Sequence, residues 1–314
     1  MLAVLRSRNP RHSLPTPPAR TTIMSTPTSA ELASATPSSP ASMNPTPAGP
    51  EQAGETPTIK FTHVEDVFRV IDSISTDYLT ITNVSSSDLD QLDHEREKQG
   101  RKFRVRRYHS DSGILIISIP SAVHEALHRE LEVCFHRQLF RQGLDRSWRS
   151  MGSRRLHASG QPNRDGGEGD SAGGPSAARR GPGSWPTLVI EAGASETLPQ
   201  LRADMRWWFS ASAHEVKIVL LAKFDQQQQV IIIERWEEEQ GGNALLEPVR
   251  RQEITIRRDG TARPASYQVT RGALVLSFQL LFLRTPDPQQ GEGDFVIDVP
   301  DLQWYATQVW DSAP

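Results

Sequence analysis

One stretch of the sequence, residues 187–224, restricts the possible fold more than any other. It opens with residues 187–192, an apolar run rich in β-branched side chains that is typical of a strand covered on both faces. Residues 198–212 follow with apolar side chains on a helical period, and residues 216–224 form a second apolar run. A strand, a helix and a strand at this spacing predict a βαβ crossover, in which the two strands are parallel and adjacent or nearly so.

The chain upstream of this unit predicts two strands followed by a helix. Residues 102–108 and 113–119 have strand character and are separated by a short polar turn. Ser121 can cap a helix that runs to about residue 141. Together with the crossover, these elements predict an α/β or α+β core over residues 102–224, with a mixed sheet and flanking helices.

Four further segments complete the predicted organisation. Residues 1–57 hold eleven of the 23 prolines among many Ser and Thr residues, which predicts a disordered tail. Residues 58–101 are predicted to be a helical segment. Residues 158–184 carry eight of the 21 glycines and predict a mobile loop within the core. Residues 225–314 predict a β-rich extension that ends in a helix.

The composition favours an intracellular protein of the nucleus or cytoplasm. The single cysteine, Cys134, excludes an intramolecular disulfide, and residues 272–283, the longest apolar stretch, are too short to span a membrane. The first 30 residues contain four arginines and no acid, which suits a mitochondrial presequence, but their prolines would break the helix that such a signal needs. Either Met1 or Met24 can be the start.

Glu191 is the residue in the crossover unit that most suggests chemistry. It follows three apolar residues in a strand that should be covered on both faces. A carboxylate in such a place is costly to bury unless it is paired or binds a metal ion. Either Glu191 belongs to a site, or it stands at a strand end and reaches water or an arginine.

The order of elements around Glu191 resembles the core of the PD-(D/E)XK nuclease superfamily. Residues 185–224 are similar to its restriction endonuclease-like branch and to fungal proteins that share such a block. The resemblance covers about residues 102–224. It implies an Asp and a Glu that hold Mg²⁺, and a Lys two residues after the Glu that orients the attacking water.

This chain departs from that pattern at two places. Gly193 stands where the resemblance implies the Lys, and Pro162-Asn163 best matches the Pro-Asp element, with a neutral amide in place of the acid. Asp165 is the first substitute for the missing acid, with Glu168 and Asp170 as further ones. The lysine function can pass to Lys217 on the next strand or to an arginine of the crossover helix, and the first helix can contribute Glu125.

These departures favour a catalytically impaired protein that acts as a binding or interaction module. Without relocated groups, the loss of a metal carboxylate and a Lys removes several kcal/mol of transition-state stabilisation. The alternative is a Mg²⁺-dependent DNA endonuclease in which Glu191 and Asp165 hold the ion, assisted by Lys217 and Glu125.

A different motif in the predicted first helix allows a zinc hypothesis. His124-Glu125-Ala126-Leu127-His128 has the H-E-x-x-H spacing, which places two imidazoles on one helix face with Glu125 as a general base. A zinc peptidase would need a third ligand that the sequence does not reveal. The other interpretation is a solvated histidine pair on an amphipathic helix.

A basic cluster in the first predicted core strand suggests a partner. The net charge of −3 gives no long-range attraction to polyanions, so a nucleic acid would need a local basic patch. Lys102, Arg104 and Arg106 would share one strand face and could follow a phosphate backbone. The same pattern also suits a solvated strand face.

Overall fold

The computed structural model describes residues 57–160, 165–181, 183–242 and 244–314. The predicted tail, residues 1–57, lies outside this part of the chain apart from Pro57. Within the described residues the chain is a mixed α/β protein of fifteen strands and six α-helices. The strands are β1 Thr58–Lys60, β2 Tyr78–Thr82, β3 Arg104–His109, β4 Ile114–Ser118, β5 Trp148–Ser150, β6 Arg155–His157, β7 Gly166–Glu168, β8 Ser171–Pro175, β9 Leu188–Gly193, β10 Ile218–Asp225, β11 Val230–Gln240, β12 Leu246–Asp259, β13 Ser266–Thr270, β14 Leu274–Leu276 and β15 Phe295–Ile297. The helices are α1 Val64–Ser73, α2 Ser86–Lys98, α3 Ala122–Arg141, α4 Leu198–Ala211, α5 Phe278–Phe282 and α6 Val299–Asp311.

A seven-stranded sheet is built around the predicted crossover. Its strand order is β13-β12-β11-β10-β9-β8-β5. Strands β9 and β10 are parallel neighbours in the register Leu188 to Ile218, as the sequence predicts, while β8 and β11 pair with them antiparallel. Every residue of β9 is buried because helices cover both of its faces.

The two faces of this sheet have separate apolar cores. On one face, Val189 and Leu221 pack with Leu201 and Trp208 of α4. On the other face, Ile190 and Leu220 join a larger core with α3 and α6. Side chains of successive strand residues alternate between the faces, so Glu191 points toward α4 together with Val189.

A six-stranded sheet, of order β1-β2-β4-β3-β7-β6, forms the second layer of the molecule. Its apolar core includes Leu79, Ile117 and Phe68 of α1. The helices expected in residues 58–101 are present as α1 and α2, and two strands that the sequence did not predict, β1 and β2, lie beside them. These short strands gain their partners from β4, which is distant in sequence.

The largest correction concerns the predicted mobile loop at residues 158–184. Its described part contains β7 and β8, whose residues are all buried. The glycines are there because neighbouring groups take up the space of a side chain. A Cβ on Gly173 would lie 2.5 Å from Nε1 of Trp148, and a Cβ on Gly167 would lie 2.7 Å from the carbonyl oxygen of Arg106.

The C-terminal extension forms antiparallel strands followed by a helix, as predicted. Strands β11, β12 and β13 pair antiparallel, and α6 begins after Asp298, which caps it. The apolar run at residues 273–283 is divided between β14 and α5, because the Ser277 side chain caps a short helix after the strand.

Candidate functional site

Glu191 is fully buried in the middle of β9. Its Oε1 accepts hydrogen bonds from Nε1 of Trp208 and from Nη2 of Arg107, the latter at 3.2 Å. Its Oε2 accepts no hydrogen bond from the described residues. The covered strand places this carboxylate inside the protein, so its charge has to be balanced there.

Asp170 is the acid that lies across the sheet from Glu191. Ser171 pairs with Ile190, and this register places the residue before β8 opposite Glu191. Asp170 Oδ2 accepts a hydrogen bond of 2.9 Å from the backbone N–H of Ala192. Asp170 therefore occupies the position beside Glu191 at which the resemblance to the nucleases predicts a metal-binding Asp.

Asp165 does not join Glu191. Its Oδ1 accepts hydrogen bonds of 2.9 and 3.0 Å from the backbone N–H and the hydroxyl of Ser110, at the turn between β3 and β4. The prediction of Asp165 as a metal ligand beside Glu191 is wrong, because strand pairing brings the residue just before β8 to that place. Pro162 and Asn163 lie outside the described residues.

The guanidinium of Arg106 occupies the space between the two carboxylates. Its Nη2 lies 3.3 Å from Glu191 Oε2, and its Nη1 lies 3.6 Å from Asp170 Oδ2. Its Nε donates to Asp204 of α4 at 2.6 Å and also lies 3.1 Å from Glu196 Oε1. The side chain is only 1% exposed. The buried positive charge of Arg106 therefore lies among four acids and balances their charge.

Arg107 adds a second buried cation. Its Nε lies 3.2 Å from Asp204 Oδ1, and its guanidinium stacks 4.2 Å from the ring centre of Trp207. Two successive residues of a regular strand would point to opposite faces. Here the register with β4 shifts between Val105 and Arg107, and this β-bulge lets Arg106 and Arg107 contact the same group of acids.

Burial and the neighbouring cations together shift the pKa values of these acids in different directions. Desolvation raises the pKa of Glu191 to about 7, although Arg106 opposes this shift. Desolvation likewise raises the pKa of Glu196 well above its ordinary value. Burial alone would raise the pKa of Asp170 too, but His124 and Arg106 hold it well below its ordinary value. Asp170 is thus the acid of this group that is most readily ionised, and Glu196 is the acid that keeps its proton.

Lys217 is not near Glu191. It precedes β10, at the end of the strand that pairs with Leu188, and its Nζ donates to the carbonyl of His214 at 2.6 Å. The prediction that Lys217 replaces the missing lysine is therefore wrong. Lys223 has the better position, because it pairs in register with Gly193, on the Glu191 side of the sheet.

Gly193 and Lys223 show how the position two residues after Glu191 is filled. A Cβ on Gly193 would lie 3.0 Å from Glu196 Oε2, so the Glu196 side chain covers the place of the absent lysine. Lys223 is half-buried, and its Nζ donates to the carbonyl of Ala194 at 2.5 Å. Desolvation lowers the pKa of Lys223.

The residues around Glu191 and Asp170 do not fit Mg²⁺. This ion requires near-octahedral oxygen ligands and usually keeps several waters. The space between the two carboxylates is filled by Arg106, and neither acid lines the clefts of about 1000 and 580 Å³ that open nearby. No step of a magnesium-dependent reaction follows from this arrangement.

The histidines of the H-E-x-x-H motif are buried, so the interpretation as a solvated pair is wrong. His124 Nε2 lies 3.0 Å from Asp170 Oδ1, and its Nδ1 lies 3.3 Å from Asp77 Oδ2. His128 Nδ1 shares a hydrogen bond of 2.9 Å with the hydroxyl of Ser171. Burial alone would lower the pKa of His124, but the carboxylates of Asp170 and Asp77 raise it to about 10.

Glu125 is less buried and lies between cations. Its Oε1 accepts a hydrogen bond of 2.7 Å from Arg104, and its Oε2 lies 2.5 Å from Nε of Arg129. Burial alone would raise its pKa, yet His128, Arg104 and Arg129 lower it to about 2. Such an acid is a weak proton acceptor, which is unfavourable for a general base.

The predicted phosphate-binding face of β3 is directed mainly into the protein. Arg106 is buried, and Arg104 is paired with Glu125 and with Asp170 at 3.0 Å, while Lys102 is exposed. The inclusion of Arg106 in a nucleic-acid surface is therefore wrong. This face of β3 turns toward the acids before β8 and on α4, which sequence alternation alone cannot show.

A cleft of about 1000 Å³ opens beside this ion network, between α2, the start of β3 and the start of α3. Six cationic and four acidic side chains line it, among them Lys102, Arg104, Glu125 and Arg129. A second cleft of about 580 Å³ includes Asp77 and the start of α3 in its lining. Five of the six cations are paired with acids, and the sixth, Lys102, is exposed.

Sequence reasoning missed four members of the network: Asp77, Glu196, Asp204 and Arg107. One signal was present, because Asp204 interrupts the apolar face that Leu201, Met205 and Trp208 form on α4. An acid within such a stripe indicates a buried partner.

None of the six α-helices in the described part of the chain combines the length and the apolar character that a membrane span requires. Neither a known family model nor a curated protein matches this sequence.

Proposed function

We propose that the chain is a PD-(D/E)XK-like protein whose catalytic centre is impaired, and that it acts as a binding or interaction module. The observation that carries this proposal is the position of Arg106, with nitrogens 3.3 Å from Glu191 and 3.6 Å from Asp170. A guanidinium at these distances takes the place that a shared metal ion would need.

The arrangement of the elements supports the nuclease-like ancestry in this proposal. Helix α3 packs on one face of the sheet, β8 and β9 run antiparallel, and α4 connects β9 to the parallel strand β10. Asp170, just before β8, lies opposite Glu191 of β9. Fold and function are separate questions, however, and the chemistry of the centre decides the second one.

The burial of Arg106 supports loss of catalysis. Its side chain is 1% exposed and bonded to Asp204, so Mg²⁺ could enter only by displacing a buried cation that already balances the charge of these acids. Glu196 also covers Gly193, where the nuclease pattern has its lysine. Side chains of this chain thus occupy both the position of the metal ion and the position of the lysine.

One observation favours the alternative of an active Mg²⁺-dependent endonuclease. Lys223 pairs in register with Gly193 and lies on the same side of the sheet as Glu191. A lysine displaced to the next strand could orient an attacking water if Arg106 moved away. This alternative gives a different result in the same assay.

The assay is DNA and RNA cleavage by the full chain with Mg²⁺ or Mn²⁺. The impaired centre predicts no metal-dependent cutting, and Glu191→Gln should show the same background as the wild type. Metal-dependent cutting that Glu191→Gln abolishes would overturn the proposal in favour of the active endonuclease.

A nucleic acid is the partner class that the proposed module suits best, through the cationic larger cleft. Lys102 is the exposed lysine of that cleft, and Lys60 is an exposed lysine on β1 that does not line it. Lys102→Glu should weaken DNA binding and reduce its salt dependence by about one counterion, whereas Lys60→Glu should not. Equal effects of the two substitutions would remove the cleft from this proposal.

A further inference from the structure

Three buried side chains beside the cleft bring metal-binding atoms together. His124, His128 and Asp170 each offer one ligand atom, and these atoms all lie within 4.8 Å of one another. The i, i+4 spacing on α3 places both imidazoles on one helix face, and Asp170 is the residue just before β8. Two imidazoles and one carboxylate form a ligand set that suits Zn²⁺ and related transition-metal ions.

The ring nitrogens that point away from this set also have polar partners. Nδ1 of His124 lies 3.3 Å from Asp77 Oδ2, which is within ion-pair range but without hydrogen-bond geometry. Nδ1 of His128 lies 2.9 Å from the Ser171 hydroxyl, which in turn donates to Glu132 at 2.8 Å. Such outer partners fix the orientation of metal-binding histidines and leave Nε2 of each ring for the ion.

The local charge supplies an independent argument for a bound cation. Asp77, Asp170 and Asp204 are buried acids of this network, and the first two contact His124. The same carboxylates that hold a proton on His124 would attract a divalent ion.

Arg104 lies on the side of His124, His128 and Asp170 that faces the larger cleft. Its Nη1 lies 3.0 Å from Asp170 Oδ1 and 3.4 Å from His128 Nε2. Unlike Arg106, it lines the larger cleft, and its side chain is 12% exposed. Arg104 can therefore swing into the cleft, while Arg106 has no such exit.

We propose that His124, His128 and Asp170 bind a transition-metal ion of the Zn²⁺ class, and that binding moves the Arg104 guanidinium out into the larger cleft. The ion uses Asp170 Oδ1, on the opposite side of this carboxylate from Arg106. Binding requires His124 to lose its proton, which the ion displaces. The site does not depend on whether the chain cuts nucleic acid, so its failure and that of the proposed function are distinguishable.

The test is titration of the full chain with Co²⁺, followed by its visible absorption, with Zn²⁺ as competitor. The wild type should bind one Co²⁺ that Zn²⁺ displaces, and His128→Ala should lose this binding. Ser171→Ala should weaken it about 10- to 100-fold, because His128 loses its orienting partner. Arg104→Ala should tighten it at least about tenfold, because a competing cation is removed.

His136 provides the matched control on the same helix. Its Nδ1 is bonded to the backbone of Glu132, so His136→Ala should leave Co²⁺ binding unchanged. The proposal is overturned if the wild type does not bind one equivalent of Co²⁺, even if Arg104→Ala binds it. It is also overturned if His128→Ala binds as well as the wild type, or if Arg104→Ala binds more weakly.

Discussion

The buried charges of this protein depend on one another at the level of single residues. Arg106 contacts Glu191, Glu196, Asp204 and Asp170, all of which are almost completely buried. Removing one partner of a buried ion pair leaves the other uncompensated, which costs more than the pair itself contributes. The complete network is therefore required for this core to fold, although the ion pairs themselves add little net stability.

Glu191 should give the protein a characteristic pH dependence. Its pKa of about 7 lies above the ordinary value of 4.5, so the folded state holds this proton more tightly than the unfolded state. The contribution to stability is fully present below about pH 4.5 and is lost as the pH rises through 7. Glu191→Gln cannot titrate and should lack this loss.

Urea unfolding between pH 4.5 and 7 measures this contribution. As the pH rises, the free energy of unfolding of the wild type should fall relative to Glu191→Gln by on the order of 2 kcal/mol. Glu65→Gln, at an exposed position of α1, is the control that should follow the wild type. Parallel curves for the wild type and Glu191→Gln would contradict the raised pKa of Glu191.

The sequence predicted Glu191 as the central acid because a carboxylate within an apolar run needs a partner wherever it lies. It placed Asp170 only after Asp165 as a partner, and it named Lys217 and not Lys223. Asp170 rather than Asp165, and Lys223 rather than Lys217, follow from the registers of β8 and β10 against β9. Register depends on turns and on packing across the sheet, which one sequence does not specify at single-residue precision.

At the scale of elements, the bulge in β3 decides which arginines enter the core. Val105 and Tyr108 pack in the apolar core of the six-stranded sheet. Because the bulge inserts an extra residue between them, Arg106 and Arg107 can both turn to the other side. A regular strand would direct one of these charges into the apolar core.

Strand β7 must have a glycine at position 167 for this arrangement to fit. A Cβ on Gly167 would meet Nη1 of Arg107 and lie 2.7 Å from the carbonyl oxygen of Arg106. Gly167→Ala should therefore reduce the free energy of unfolding by about 1–3 kcal/mol, the usual range for overpacking. Chemical denaturation followed by circular dichroism measures this change.

Gly183 supplies the control for this prediction. It lies in the same glycine-rich part of the chain, is exposed, and would have nothing within 4 Å of an added Cβ. Gly183→Ala should change the free energy of unfolding by less than about 0.5 kcal/mol. Equal losses in Gly167→Ala and Gly183→Ala would refute the steric role of β7.

Long elements with strong periodicity were predictable, and short glycine-containing strands were not. Helix α3 and the unit from β9 to β10 carry their own apolar patterns. The glycines of β7 and β8 carry no such pattern, since their role is to make room for Trp148, Arg106 and Arg107. A rule based on local composition therefore predicted a loop.

At the scale of the whole molecule, polar contacts join the two large sheets. Asp77, just before β2, accepts hydrogen bonds of 3.2 and 2.9 Å from the backbone N–H groups of Ala194 and Ser195, just after β9. Arg106 extends from β3 to Glu191 of β9 and Asp204 of α4. The sequence predicted one mixed sheet over residues 102–224, whereas β3 and β4 belong to one sheet and β9 and β10 to the other, and buried ions connect the two.

This connection predicts how the two sheets unfold. All seven tryptophans lie at or after residue 148, and none lies in β1 to β4 or in α1 and α2. Tryptophan fluorescence therefore reports mainly on the seven-stranded sheet, whereas far-ultraviolet circular dichroism reports on both sheets. In the wild type, the two signals should change at the same urea concentration, because the ion network couples the layers.

Arg106→Met should uncouple the two layers. The substitution keeps much of the apolar volume but leaves Glu191, Asp170 and Asp204 without their shared cation, at a cost of about 3–5 kcal/mol. The circular dichroism transition should then begin at lower urea than the fluorescence transition, because the six-stranded sheet has the smaller core. Arg129→Met, at a side chain 65% exposed, should keep the two transitions coincident. Coincident transitions in Arg106→Met as well would show that apolar packing alone couples the sheets.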